Sequence, residues 1–185
     1  DLMELIANEA AKRRSSNSSP MLSEESDISK LTPAEQTLHW TCKLVFAVNK
    51  NIAGLCEKAL AKGADPNYQD GAGRACLHIA AMHCNLEIVK ALLNGAADCW
   101  IQDSELMCPA HVFALQPREE TVQLFKLLAP TREVLALRNA AGVSVLQRYT
   151  SWAKTADGNR PFASAIAHID ELWTAFPNLF TANVM

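Results

Sequence analysis

The stretch Asp70-Gly71-Ala72-Gly73-Arg74-Ala75-Cys76-Leu77-His78-Ile79-Ala80-Ala81, with Asn85-Leu86-Glu87-Ile88-Val89-Lys90-Ala91-Leu92-Leu93 just beyond it, decides the fold because its parts recur. Ahead of it, Gly63-Ala64-Asp65-Pro66-Asn67-Tyr68-Gln69-Asp70 returns as Ala96-Ala97-Asp98-Cys99-Trp100-Ile101-Gln102-Asp103, so that Asp65 and Asp98, and Asp70 and Asp103, each stand 33 positions apart. His78 and His111 keep that offset, and Ala59-Leu60 falls opposite Leu92-Leu93. Leu44 to Val48 falls opposite Leu77 to Ala81. A fixed period of this size marks units that stack on their neighbours to bury a shared core.

The quoted stretch resembles the ankyrin pattern D-x-x-G-x-T-P-L-H-x-A-A, and Asn85 to Leu93 resembles the second helix of that repeat. The resemblance implies an all-α ankyrin-repeat solenoid of stacked helix-turn-helix units with hairpin loops. It covers about Leu44 to Leu172 as four degenerate units. The third unit departs from the pattern, with Leu106 where glycine is expected and Trp100 where asparagine is expected, while Cys108-Pro109-Ala110-His111 keeps the proline and histidine. Two extra residues enter around Pro117-Arg118, since Leu127-Leu128 follows Leu92-Leu93 by 35. Asn139 to Gln147 makes a further match, 36 after Asp103, with Gln147 in the histidine position. Phe162, Ile166, Ile169, Leu172 and Trp173 lie at helical spacing between Pro161 and Phe176, which predicts a closing helix that covers the last unit.

Working outward to the other end, Thr32-Pro33-Ala34-Glu35 offers an N-cap threonine, a proline in the first turn and a glutamate that completes a capping box, so a helix is expected to start there. Before it, Leu2, Leu5 and Ile6 stand at helical spacing. Seven serines then fall between Ser15 and Ser29, with Met21, Leu22 and Ile28 as the apolar residues among them. A stretch so poor in apolar residues reads as a linker whose order must be borrowed from a surface. The expected organisation is therefore an N-terminal helix and Ser-rich linker over 1–31, the repeat domain with its capping helix over 32–176, and a tail over 177–185. The absence of an initiator Met leads us to expect a piece of something larger.

Charge and cysteine usage narrow the setting. Seventeen Lys+Arg against 20 Asp+Glu leave a formal charge of -3, which supplies no general attraction to nucleic acid or an anionic membrane. The six cysteines contain no C-x-x-C pair, and four of them lie in apolar helical patterns; free thiols in a cytoplasmic or nuclear protein are expected. No apolar run approaches the roughly 18 residues of a membrane span. No membrane insertion, nucleic acid, small-molecule substrate, cofactor or metal is expected.

Cys108 and His111 stand three apart and His83 adjoins Cys84, the only hints of nucleophile or metal chemistry. The resemblance implies a structural role for His78 and His111, bridging backbone groups of neighbouring turns. No phosphate loop, zinc-protease or nucleophile-elbow motif occurs, and an enzyme is not expected. A repeat stack supplies another kind of site, because equivalent positions form rows that one partner can touch together. In the family, the pair after the first-helix Ala-Ala faces the concave groove: Asn49 and Lys50, Met82 and His83, Leu115 and Gln116, Ser151 and Trp152. The finger tips form a second row with Tyr68, Asp70 and Arg74 in one finger and Ile101, Asp103, Glu105 and Met107 in the next. From these rows the expected binding residues are Tyr68, Asp70, Arg74, Met82, His83, Ile101, Glu105, Met107, Leu115, Gln116 and Trp152. The expected function is a protein-protein interaction module that takes another protein or peptide through groove and fingers. The alternative is a repeat domain that regulates, in cis, a catalytic or channel domain outside this chain.

Overall fold

The computed structural model describes residues 32–114, 122–129 and 131–155, together with positions 167, 170, 171 and 174. Among the described residues eight helices are delimited: α1 Pro33–Asn49, α2 Ala53–Ala61, α3 Cys76–His83, α4 Leu86–Asn94, α5 Pro109–Phe113, α6 Val122–Leu128, α7 Arg132–Ala136 and α8 Val145–Thr155. Among the described residues there is no β-strand, only isolated antiparallel bridges at Gln69–Ala75 and Arg138–Ser144.

Helix α1 starts where the capping box predicts. The Thr32 hydroxyl accepts the Glu35 amide at 3.4 Å, and the Glu35 carboxylate accepts the Thr32 amide at 2.8 Å. In α4 the Asn85 side chain caps the helix by accepting the amides of Glu87 and Ile88. Its counterpart in the first unit is Ile52, so α2 starts with no side-chain cap.

The helices stack in two rows. Helices α1, α3, α5 and α8 touch in sequence, and α2, α4 and α6 form a second row behind them, with α1 packed on α2 and α3 on α4. The core runs between the rows, from Trp40, Leu44 and Val48 through Leu77, Ile88 and Leu92 to Phe113, Phe125, Leu128 and Tyr149, with no break. The Phe125 and Tyr149 rings stack at 3.8 Å between centroids and 7°, tying α6 to α8. Each unit alone offers one short helix pair, too little apolar area to fold by itself, so contact between units supplies the burial.

The spacing of 36 between Asp103 and Asn139 has a structural counterpart in α7. Thr131 caps this short helix by accepting the Val134 amide, and Val134 and Leu135 are buried. It takes the place occupied between the earlier units by the turn Asp98–Gln102. The insertion expected around Pro117-Arg118 lies outside the described residues, as do the 1–31 segment and the 177–185 tail. Of the expected closing helix, positions 167, 170, 171 and 174 are helical and exposed. Glu171 reaches α6 through an ion pair to Lys126 at 2.8 Å. The side chains of Phe162, Ile166, Ile169, Leu172 and Trp173 lie outside the description.

Candidate functional site

Three hairpin fingers share one hydrogen-bond plan. In the first, Asp70 Oδ1 accepts the amides of Ala72 and Arg74, both at 2.9 Å. In the second, Asp103 Oδ1 accepts those of Glu105 and Met107 at 2.9 Å. In the third, Asn139 Oδ1 accepts the Val143 amide at 3.0 Å. Three residues after each of these anchors the chain turns through the left-handed region, at Gly73 (φ 76°), Leu106 (φ 56°) and Gly142 (φ 73°). Leucine replaces glycine at the middle tip without changing the turn, so a β-carbon is tolerated there at a conformational cost.

The fingers are joined to one another. The Ser104 amide donates to Ala72 O at 3.0 Å, and the Ala140 amide donates to Glu105 O at 2.8 Å. Gln69 Nε2 donates to Gly73 O in its own finger at 2.7 Å and to Gln102 O of the next at 3.4 Å. Gln102 repeats this with Leu106 O and Arg138 O. The first tip sits so close to the second that a β-carbon on Gly73 would lie 3.1 Å from Ser104 N and 3.2 Å from Asp103 Cα.

His78 and His111 clamp the units from inside, both fully buried. Nδ1 of His78 accepts the Ala75 amide at 3.1 Å, and Nε2 faces Met107 O in the next unit at 2.9 Å. Nδ1 of His111 accepts the Cys108 amide at 3.2 Å, and Nε2 faces Val143 O at 3.1 Å. One nitrogen accepting and the other donating is the neutral imidazole. Burial, the largest cause, pushes both below the ordinary histidine range, and backbone carbonyls oppose this only in part. At the fourth unit Gln147 Oε1 accepts the Ser144 amide at 2.9 Å and so reproduces the inner half of the clamp. The Cys108 sulfur lies 3.2 Å from His111 Nδ1. Burial raises that thiol and lowers that imidazole, which keeps both neutral. Burial that raises a thiol works against the thiolate that nucleophilic attack needs. Burial likewise raises Cys56 and Cys99 to about 11 and Cys76 to about 12. All six cysteines are free, and among the described residues no group of His, Cys, Asp and Glu could hold a metal ion.

The expected binding residues divide by environment. Met82 and His83 end α3 and face solvent, Met82 with 38% of its surface exposed, so Met82 is not a core residue. Arg74 is exposed but already engaged, with its guanidinium 2.8 Å from Asp70. Burial raises the Asp70 carboxyl, but hydrogen bonds from Arg74 and the amides of Arg74 and Ala72 outweigh it, and the net result lies below the usual range. Asp70 and Arg74 therefore build the finger as well as present it. Glu105 is exposed, whereas Tyr68, Ile101 and Met107 are half-buried. Asp103, read from the sequence as part of the finger row, is buried because its carboxylate closes the hairpin. Trp152 lies in α8, and nothing is described of its side chain; Leu115 and Gln116 fall outside the described residues.

Four large apolar side chains absent from the sequence-derived set are exposed: Phe46 at 53%, Ile52 at 44%, Trp100 at 44% and Leu106 at 49%. Only Trp100 and Leu106 carried a signal, as apolar residues in the places of asparagine and glycine. Nothing in the repeat pattern set Phe46 or Ile52 apart. Among the described residues no helix is long and apolar enough to cross a membrane.

Comparison with known proteins agrees with this geometry. No curated protein matches the chain. Residues 48–93, from the end of α1 through the first finger to the end of α4, match the model for ankyrin repeats in many copies. Finger, buried histidine and paired helices all fall within or beside that span, so this part of the chain is similar to ankyrin repeats.

Proposed function

We propose that this chain is a protein-interaction module, a repeat solenoid over 32–176 that binds a partner protein or peptide across the exposed ends of its first-row helices and its finger tips. The observation that carries the reading is the exposure of Met82 and His83 on α3, whose residues Cys76 to Ala81 are all buried. A helix that buries six consecutive residues and then presents a methionine to solvent offers that side chain to something outside itself. Methionine and arginine are among the residue types enriched at interface centres, and Arg74 stands on the adjoining finger held rigid by Asp70. Six free thiols, four of them buried, fit a reducing cytoplasmic or nuclear setting. No catalytic step is part of this reading.

The test is a photo-crosslinkable residue placed at position 82 or 83, used to capture the partner from native lysate, followed by titration of the captured protein against Met82→Ala. Loss of about 2 kcal/mol of binding, roughly 30-fold in Kd, is expected if Met82 is central to the interface. The folding free energy should change by no more than about 0.5 kcal/mol, as for other surface substitutions. Binding unchanged by Met82→Ala and His83→Ala together would place the interface elsewhere.

A further inference from the structure

The first unit has a face with nothing described against it, and position 46 locates that face. The equivalent residues in the second and third units, Ile79 and Val112, are each 7% exposed, whereas Phe46 is 53% exposed. Ile79 and Val112 have a helix of the same row on both sides; Phe46 has α3 after it and no described element before it. The uncovered area therefore lies on the preceding side of α1. Phe46 is flanked along its helix by Lys43, whose Nζ lies 4.8 Å over the Trp40 ring, and by Lys50, which is exposed. Positions 43, 46 and 50 follow helical spacing, so a cation sits about one turn either side of the phenylalanine. Ile52, 44% exposed, follows at the start of α2 in the position where Asn85 supplies a polar cap to α4. The first unit thus carries apolar residues at two places where its neighbours have a buried contact or a polar cap.

We propose that residues 1–11 of this same chain cover the face, setting Leu2, Leu5 and Ile6 against Phe46 and Ile52 and bringing Asp1, Glu4 and Glu9 towards Lys43 and Lys50. Chemistry and reach both support this occupant. Residues 1–11 contain three acidic and no basic side chains, with their apolar residues at a spacing of three and four, the complement of an apolar centre between two cations. The segment from Lys12 to Leu31 is serine-rich and begins with the basic run Lys12-Arg13-Arg14. Any twenty-residue random coil has a root-mean-square span of about 25 Å. From Thr32 to Phe46 along α1 is roughly 21 Å at 1.5 Å per residue. A tether whose relaxed length matches the distance it must cross gives the highest effective concentration, of millimolar order, so a weak contact suffices to keep the face covered. The covered face adjoins the proposed groove at Lys50, yet its occupancy is a property of the chain alone, so its test needs no partner.

The experiment is hydrogen-deuterium exchange on the full 185-residue chain at two concentrations, comparing the unsubstituted chain, Phe46→Ser, Lys50→Glu, and Lys50→Glu combined with Glu4→Lys and Glu9→Lys. Amides of residues 2–8 should exchange about tenfold more slowly in the unsubstituted chain than in Phe46→Ser, independently of concentration. Lys50→Glu should remove several-fold of that protection and the charge-swapped triple variant should restore it. The charge swap keeps the test valid even if Phe46→Ser disturbs α1, because restoration by distant substitutions requires contact. Exchange of residues 2–8 at the rate of an unstructured peptide in the unsubstituted chain overturns the proposal. So does protection indifferent to residues 46 and 50, and so does protection that grows with concentration, which would assign the face to a second copy.

Discussion

The two junctions on either side of the second finger are built to one plan and finished with opposite chemistry. Between the second and third units, Asn67 Nδ2 donates to Ala96 O at 3.2 Å and Asn67 Oδ1 accepts the Asp98 amide at 2.8 Å, while Gly73 lets the first tip lie on the second. Between the third and fourth, the place of Asn67 is held by Trp100, that of Gly73 by Leu106, and the plain turn gives way to α7. Both junctions keep the buried histidine and the finger-to-finger hydrogen bonds. The difference teaches that the clamp from inside holds the stack in register. The outer polar bridges can then be exchanged for exposed apolar side chains without loss of the finger geometry.

If the histidine clamp is the common element, its removal is the largest single loss either junction can suffer. His78→Ala and His111→Ala should each lower the unfolding free energy by about 3 kcal/mol, since each opens a cavity, leaves a buried amide unpaired and takes one of two donors from a carbonyl that keeps a backbone amide. Glutamine should recover part of this, because Gln147 already performs the amide-accepting half at the fourth unit. His111→Gln is therefore expected to cost roughly half of what His111→Ala costs, as one of the two bonds survives. Urea unfolding of the four variants measures both. Equal losses for alanine and glutamine would mean that the histidine acts by volume alone.

The same residues set a pH dependence. Burial holds the folded-state pKa of His78 and His111 below the ordinary value of about 6.5 that they recover on unfolding. Above pH 6.5 both are neutral in both states and their contribution is complete. As pH falls below 6.5 the unfolded chain takes up protons first, so stability declines, by at most about 1.4 kcal/mol per pH unit for each histidine. The decline levels off below the folded-state values. Stability measured by urea at pH 7.5, 6.5 and 5.5 should fall over the lower interval and should flatten in the His78→Gln/His111→Gln double variant. A profile that rises on acidification, or that the double variant leaves unchanged, would show that the clamp stays neutral for other reasons.

How much of this was legible in the sequence follows from what a period can and cannot encode. The offset of 33 placed Asp70 opposite Asp103 and His78 opposite His111, and the structure gives each pair one role. The capping box at Thr32 was readable because it is local chemistry within four residues. Exposure was not readable, since Phe46 has the same apolar surroundings as buried Ile79, and the two differ only in whether another helix lies beyond them. Helix α7 was hidden because added residues shift the register without announcing a shape. The double use of Asp70, as a finger residue whose carboxylate is committed to its own hairpin, emerges only from the hydrogen bonds.

The finger tips permit a reciprocal pair of substitutions that should move stability in opposite directions. Gly73→Ala forces a side chain into the left-handed region and brings its β-carbon to 3.1 Å from Ser104 N, with backbone as the obstacle. A loss of about 2 kcal/mol is expected. Leu106→Gly removes a penalty of the same origin from a residue about half exposed, and a gain of up to about 1 kcal/mol is expected once the lost contacts and the flexibility of glycine are set against it. Thermal unfolding of both variants gives the two signs. If Leu106→Gly is destabilising instead, the leucine holds the tip by packing, and its role as a solvent-facing apolar residue must be abandoned.

The smallest expected effect separates the outer bridges themselves. Asn67→Ala removes two hydrogen bonds across a junction whose groups are partly open to water, so the cost should be about 1.5 kcal/mol and not the full penalty of a buried pair. Trp100→Ala removes a side chain 44% exposed, whose backbone amide is held independently by Asp98 Oδ1 at 2.8 Å, so stability should change by less than about 0.5 kcal/mol. The order of the two is the discriminating quantity, because a tryptophan holds far more apolar area than an asparagine and would dominate if it were packed under the finger. A Trp100→Ala loss as large as that of Asn67→Ala would make the second junction an apolar version of the first. A neutral Trp100→Ala would instead mean that the ring is presented to solvent on a junction already held by His111, and that the asparagine bridge was relinquished there without cost to the register of the stack.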